Sequence, residues 1–138
     1  MNSKIENIGL HHIALATSDF DRTLEFYTDG LGCQLARIWG EGSGRAAMLD
    51  IGNGVLIEVF ANGTPDPAQN EKWVHIAFKT SNPDQAYANA IKAGAASHME
   101  PKDMTIQSDP PMDVRIAFVK GPSGEIIEFF QEKSGEIR

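Results

Sequence analysis

The chain repeats itself, and this duplication limits the folds that it can adopt more than any other feature. The segment HIALATSD at 12–19 recurs as HIAFKTSN at 75–82, and GVLIEVF at 54–60 recurs as GEIIEFF at 124–130. The two offsets, 75 − 12 = 63 and 128 − 58 = 70 residues, differ by a length that loops can absorb. Each half therefore carries one histidine near its start and one glutamate near its end.

Apolar runs separated by turn signals predict the same order of elements in both halves. In the first half, strands are expected near residues 10–16, 34–40, 45–51 and 54–61. In the second half, they are expected near 74–80, 97–101, 113–120 and 125–132. A helix signal follows the first strand each time, so each half is predicted to be β-α-β-β-β and the fold class to be α+β.

The first helix has clear signals at both ends. Ser18 or Asp19 is a candidate N-cap, and Gly30 or Gly32 is a candidate end. Its apolar face is predicted to consist of Phe20, Leu24, Tyr27 and Leu31.

Corresponding signals mark the second helix and the tight turns. Ser81 or Asn82 can cap this helix, and Gly94 is predicted to end it. The segments 52–54 and 121–124, GNG and GPSG, have the chemistry of hairpin turns.

The length predicts one domain, 1–138, made of two repeats at about 8–62 and 72–133. Two loops are richest in proline, glycine and polar residues. Loop 61–72 is interpreted as the joint between the halves. Loop 101–112 is either a rim over a site or a plain surface loop.

The alternation of strand side chains predicts which residues share a face. His12 and His75 each lie on a face with small or polar neighbours, while the bulky apolar residues lie on the opposite face. Glu58 and Glu128 each lie between apolar neighbours on their own face. Burying a carboxylate there without a partner costs roughly several kcal/mol, a penalty that a bound cation removes.

His12, Glu58, His75 and Glu128 are therefore the predicted ligands of one divalent metal ion. Two neutral imidazoles and two carboxylates carry a charge of about −2, which neutralises such an ion. Mixed nitrogen and oxygen donors suit Zn, Ni, Co, Mn or Fe(II), and open coordination positions remain for substrate or water. His11 has no counterpart in the repeat, where Val74 stands, and is interpreted as structural; His98 has no counterpart either.

The net charge of −7 argues against a nucleic-acid partner, which requires clustered lysine and arginine. No apolar run approaches ~18 residues and no basic-then-apolar leader opens the chain, so no membrane partner and a cytoplasmic location are expected. The single cysteine, Cys33, is interpreted as a packing residue.

Two stretches resemble a known family. LHHIALATSDFDRTLEFYTDGLGCQL at 10–35 and RIAFVKGPSGEIIEFFQEK at 115–133 resemble the vicinal oxygen chelate superfamily, also called the glyoxalase, bleomycin-resistance and extradiol dioxygenase family. The resemblance covers nearly the whole chain and is strongest to glyoxalase I-like members. It implies two βαβββ modules in a curved mixed sheet around a metal-binding cleft, with the four predicted ligands at the metal positions.

A His-Glu-His-Glu ligand set resembles that of bacterial glyoxalase I, whereas methylmalonyl-CoA epimerases typically have glutamine where Glu58 stands. The implied function is a metal-dependent isomerase or lyase, lactoylglutathione lyase-like, that removes a proton next to a carbonyl and stabilises an enediolate. By this analogy Glu128 or Glu58 is the catalytic base, with Glu128 preferred, and a small molecule is the substrate. The family pattern also implies a homodimer.

Two alternatives remain open. One is a bleomycin-resistance-like protein that binds a small molecule without catalysis. The other is an extradiol-type dioxygenase, which would use His12, His75 and Glu128 and leave Glu58 without a role.

One departure from glyoxalase I concerns substrate specificity. Members of that group carry an arginine in the first strand that helps to hold the carboxylate of glutathione, whereas this chain has HIALAT there. Arg37, Arg45, Lys79 and Arg115 are the candidate replacements. Another small carbonyl or hydroxy-acid compound is therefore an alternative substrate to a glutathione adduct.

Overall fold

The computed structural model describes residues 2–30, 32–63, 73–121 and 125–133. The chain divides into two compact units. One consists of His12–Val74 and Gln107–Pro110, and the other of Met1–His11, His75–Ile106 and Pro111–Arg138. No helix in the described residues is long and apolar enough to cross a membrane.

The unit that contains His12–Val74 holds the first β-α-β-β-β series. Its strands are β1 (Gly9–Ala16), β2 (Gln34–Trp39), β3 (Ala46–Gly52) and β4 (Val55–Phe60). From His12 onward β1 runs parallel to β4, while β3 pairs antiparallel with β2 and β4. The strand order is therefore β2-β3-β4-β1.

Helix α1 (Phe20–Glu25) begins at the predicted N-cap, where Asp19 accepts a hydrogen bond from the Arg22 backbone N–H at 3.2 Å. The helix continues to Gly30, but its last five residues, Phe26–Gly30, form a π-helical turn rather than α-helix. Within this turn the Thr28 hydroxyl donates to the Leu24 carbonyl at 2.7 Å, a contact that bends helices. Leu31, predicted on the apolar face, lies outside the described residues.

The core of this unit lies between α1 and one face of the sheet. Phe20, Ala47, Leu49 and Val59 form the buried cluster, and Ile57 packs against it. Because Ile57 and Val59 face the helix, alternation directs Glu58 to the opposite face. The predicted separation of Glu58 from the core-facing residues Ile57 and Val59 of β4 is confirmed.

The second unit repeats the order with β5 (Trp73–Lys79), α2 (Pro83–Lys92), β6 (Ala96–Ile106), β7 (Met112–Lys120) and β8 (Ile126–Glu132). β5 runs parallel to β8, and β7 pairs antiparallel with β8 and β6, giving the order β5-β8-β7-β6. The core cluster is Ala86, Ala117, Val119 and Phe129, against which Ile127 packs. Glu128 consequently lies on the face away from the helix. The predicted α+β class and the two βαβββ modules are confirmed.

The predicted strand at 97–101 and loop at 101–112 were wrong in extent. β6 continues through Ile106, which reduces the connection to residues 107–111. Pro101 does not end the strand because β6 is at the edge of the sheet, and the register shifts between Met99 and Lys102. A proline is tolerated at an edge or a bulge, where no ladder hydrogen bond is lost.

The predicted cap and end of α2 and the predicted turn at 52–54 are confirmed. Asn82 caps α2 by accepting from the Gln85 N–H at 3.1 Å, and Gly94 follows the helix with φ 114°. Asn53 and Gly54 have φ values of 58° and 78°, as a type I′ hairpin turn requires. Residues 122–124 of the predicted turn at 121–124 lie outside the described residues.

Candidate metal centre

The first half of the candidate site is a pair formed by His12 and Glu58. The parallel register places Glu58 beside Ala14, two residues beyond His12 on β1. His12 Nε2 lies 3.1 Å from Glu58 Oε1. His12 is fully buried and Glu58 is 7% exposed, so this contact provides a polar partner for a carboxylate that is almost removed from water.

His75 and Glu128 form the corresponding pair in the other unit. The parallel register places Glu128 beside Ala77, two residues beyond His75 on β5. His75 Nε2 lies 3.0 Å from Glu128 Oε1, and Glu128 is 4% exposed. The edge of Phe118 contacts the His75 ring at a centroid distance of 5.3 Å, which adds an apolar wall.

The two pairs have the same construction, and their donor atoms suit a divalent cation. Each imidazole nitrogen is about one hydrogen-bond length from its carboxylate oxygen. Two donors that share an ion at ~2.1 Å and lie at right angles are also ~3.0 Å apart, so these separations are compatible with shared coordination. The four residues selected from the sequence are the members of these two pairs. That all four side chains bind one ion stays a prediction.

The other two histidines have different surroundings. His11 is 6% exposed, its Nε2 lies 2.6 Å from Glu132 Oε2, and its ring packs on Phe130 at a centroid distance of 4.0 Å. His98 is exposed, and its ring is roughly perpendicular to the Phe118 ring at a centroid distance of 6.1 Å. The sequence analysis did not identify Glu132 as the partner of His11, although the alternation of β8 places Glu132 on the same face as Glu128.

Two of the candidate arginines are occupied by contacts within their own unit. Arg37 on β2 donates from Nη1 to the Ser108 hydroxyl at 3.2 Å and to the Pro110 carbonyl at 3.0 Å. Arg45 donates from Nη1 to Asp21 at 3.1 Å, and its guanidinium lies over the Phe20 ring at 4.7 Å. Arg45 is therefore paired with a carboxylate, whereas Arg37 donates only to neutral oxygens.

Arg115 is also occupied. Its Nε and Nη2 donate to the two carboxylate oxygens of Asp84 at 2.7 and 2.9 Å, and its Nη1 donates to Asp103 at 3.1 Å. The hydrogen bonds from Arg115 lower the pKa of Asp84 and of Asp103, and the same bonds raise the pKa of Arg115. This network links α2 to strands β6 and β7 and is structural in character.

The chain belongs to the Glyoxalase/Bleomycin resistance protein/Dioxygenase superfamily, whose sequence pattern matches residues 9–129. The predicted family resemblance is thereby confirmed. The chain is 29% identical over 137 residues to a protein of Vibrio cholerae named probable lactoylglutathione lyase, covering 94% of each chain. It is 25% identical over 150 residues to 2-epi-5-epi-valiolone epimerase from an Actinomyces species, covering 93% of this chain and 81% of that one.

A solved structure has the same fold. The crystal structure of methylmalonyl-CoA epimerase from Mycobacterium tuberculosis superposes with a TM-score of 0.76 at 20% identity. The match covers 99% of this chain and 95% of that chain. At this identity the similarity concerns the fold alone.

Proposed function

We propose that this chain is a metal-dependent isomerase or lyase of the glyoxalase I type, acting on a small carbonyl compound. The observation that carries the proposal is the pair of buried His–Glu contacts, His12–Glu58 and His75–Glu128, at equivalent registers of the two modules. Relatives whose names denote a lyase and an epimerase support an enzymatic role in this class.

In this proposal His12, Glu58, His75 and Glu128 hold one divalent ion of Ni, Co, Zn, Mn or Fe(II). When bound, such an ion supplies Lewis-acid stabilisation to substrate oxygens on which negative charge develops. Glu128 is proposed to remove the proton next to the carbonyl and to return it to the product, with Glu58 as the alternative base. The burial of both carboxylates excludes water, which limits loss of the abstracted proton to solvent.

The environment of Glu58 favours this reading over an extradiol-type dioxygenase. A three-ligand site would leave Glu58 as a bystander, and a bystander glutamate in a strand is normally exposed. Glu58 is instead 7% exposed and paired with His12. A small-molecule binding protein without catalysis remains the second candidate, and metal content separates it from the enzyme.

Elemental analysis of the purified protein tests the site. We expect about one divalent ion per chain after loading with Co or Ni, and loss of that ion in His12→Ala and in Glu128→Ala. His98→Ala is the matched control because His98 is exposed and has no counterpart in the repeat. Stoichiometric metal in both site variants would refute the ligand assignment, and absence of any metal affinity would refute the enzyme proposal.

The choice of base is tested by Glu58→Gln and Glu128→Gln in metal-loaded protein. The assay follows conversion of the hemithioacetal of methylglyoxal and glutathione, and, for other carbonyl compounds, exchange of the adjacent proton with deuterated solvent. The base variant should retain metal and lose about 10²–10⁴-fold in rate. We expect the larger loss in Glu128→Gln; a larger loss in Glu58→Gln would exchange the two roles.

We also propose, from the family pattern, a cytoplasmic homodimer. Light scattering on the eluted protein should then give twice the 15.0 kDa chain mass. A mass of one chain at micromolar concentration would contradict the dimer.

A further inference from the structure

A largely apolar groove lies between the N-terminal segment and helix α2. Its volume is about 390 Å³, which falls within the ~300–1,000 Å³ range of small-molecule pockets. It belongs to one unit, and its apolar wall consists of Ile5, Ala86, Ala90 and Ala93. Ile5 and Ala90 also pack against the core cluster that contains Ala86, so this wall is continuous with the core of the unit.

Hydrogen bonds hold the two sides of the groove together. The Asn89 amide donates from Nδ2 to the Lys4 carbonyl at 2.8 Å. The Glu6 N–H donates to Gln85 Oε1 at 3.2 Å, and the Glu6 carbonyl accepts from the Ser81 N–H at 3.2 Å. Because the N-terminal segment is fixed to the helix in this way, a ligand that enters the groove does not have to order its walls.

Two lysines also line the groove, and their positive charges are not neutralised within the fold. Lys4 and Lys92 are exposed, and none of the ion pairs or side-chain hydrogen bonds among the described residues includes either ammonium group. The single acidic residue of each segment is engaged elsewhere, since Glu6 accepts from a serine hydroxyl at 2.9 Å and Asp84 pairs with Arg115. Two available cations beside an apolar wall suit a ligand with an anionic head and an apolar body.

The internal duplication shows that these groove residues are specific to the second module. Helices α1 and α2 begin after equivalent caps, at the offset of 63 residues. At this offset Ala90 corresponds to Tyr27, and Lys92 corresponds to Asp29. A methyl group thus replaces an aromatic ring, and a positive charge replaces a negative one. Both differences favour an anionic ligand with an apolar body at α2.

We propose that this groove binds an amphiphilic anion, namely an aliphatic chain that ends in a carboxylate. The chain lies against Ile5 and Ala90, and the carboxylate is held by Lys4 and Lys92. The site is distinct from the candidate metal centre, because α2 packs on the face of the sheet that holds Ile127, and Glu128 lies on the opposite face. The inference therefore goes beyond the proposed function and does not depend on it.

The charge of the head group provides the first test. The probes are decanoate and decyltrimethylammonium, which have chains of equal length and heads of opposite charge, and calorimetry measures their dissociation constants. Decanoate should bind about tenfold more tightly, although the net charge of −7 favours the cation elsewhere on the protein. Octanoate, which is shorter by two methylene groups, should bind about tenfold more weakly than decanoate. Equal affinity for the two heads would indicate an unspecific apolar surface and overturn the proposal.

Substitutions that restore the residues of the first helix provide the second test. Ala90→Tyr fills the groove and Lys92→Asp replaces attraction by repulsion, so each should weaken decanoate binding about tenfold. Lys102→Asp is the matched control, because Lys102 is an exposed lysine on β6 that does not line the groove, and it should leave the affinity unchanged. Lys4→Gln lies outside the helices and strands and should weaken binding about threefold, which keeps the test valid if Ala90→Tyr does not fold. Unchanged affinity in Lys92→Asp and Lys4→Gln would overturn the assignment.

Two further measurements exclude other occupants. Decanoate should bind metal-loaded and chelator-treated protein with equal affinity, whereas binding to the loaded protein alone would place the carboxylate on the metal and overturn the proposal. Light scattering without decanoate should give the same mass for Ala90→Tyr and for the unmodified chain. A mass that falls from two chains to one in this variant would mean that a second copy occupies the groove, and would likewise overturn the proposal.

Discussion

Whether the two His–Glu pairs serve one metal ion or two is open to a direct thermodynamic test. The perturbations are His12→Ala, His75→Ala and the double variant, each of which removes the partner of a buried glutamate. If one ion requires both pairs, either single substitution should abolish most of its stabilising effect. The double variant should then lose no more than a single variant loses.

The expected signal follows from the length of the chain and from mass action. An ion at 100 times its dissociation constant stabilises the folded state by ~2.7 kcal/mol. For 138 residues, an unfolding entropy of ~2.1 cal/mol/K per residue converts this free energy to a rise of ~9 °C in melting temperature. A shift of that size is far above the precision of calorimetry.

The assay compares melting temperatures with a chelator and with a saturating divalent ion. The unmodified chain and His98→Ala should show the full rise, and all three site variants should show almost none. Two independent ions would give a different result, namely about half of the free-energy gain lost in each single variant and all of it in the double variant. Additive losses of that kind would refute the shared centre and leave two separate pairs.

Two further predictions concern stability. Phe129→Ala should reduce the free energy of unfolding by about 3–5 kcal/mol, because Phe129 is 3% exposed in the core cluster under α2, and urea unfolding at pH 7 measures this loss. Arg115→Met should cost less than about 1 kcal/mol at pH 7, because the Asp84 side chain is 55% exposed and solvent screens its ion pair with Arg115. Arg115 lowers the pKa of Asp84 below its ordinary value of 3.8, so the ion pair stabilises the folded state above pH 3.8 and this stabilisation is lost as the pH falls through the lowered pKa. The difference in the free energy of unfolding between Arg115→Met and the unmodified chain should therefore shrink on acidification. A difference that grows as the pH falls would contradict this assignment.

The sequence was sufficient to select the four residues of the two pairs, because their faces follow from strand alternation and their recurrence follows from the duplication. Alternation places Glu58 opposite Ile57 and Val59, and the apolar pair must face the helix. The parallel register of first and last strands then brings each glutamate beside the histidine strand. The first step is local, whereas the second joins residues far apart in the sequence, such as Ala14 and Glu58, and only the family resemblance implied that the first and last strands of each module meet at one site.

What the sequence could not reveal depends on contacts between distant residues. Arg37 donates two hydrogen bonds to residues that are 71 and 73 positions further along the sequence, Ser108 and Pro110. No local sequence pattern predicts either bond. The length of β6 was missed for a similar reason. A proline normally indicates the end of a strand, and only the place of β6 at the sheet edge makes Pro101 tolerable there.

The duplication is retained in the backbone beyond the ligand positions but not in the side chains. The Thr17 N–H donates to the Phe60 carbonyl at 2.9 Å, and the Thr80 N–H donates to the Phe130 carbonyl at 3.0 Å. The strand residue before each threonine differs, because Ala16 in the first module corresponds to Lys79 in the second.

The two modules can keep an equivalent backbone and differ in side chains wherever the proposed metal site does not require the same residue in both. The proposed site takes one His and one Glu from each module, so it requires both residue types to recur at His12, Glu58, His75 and Glu128. Ala16 and Lys79, which lie four residues beyond these histidines, fall outside that requirement, and the two modules differ there.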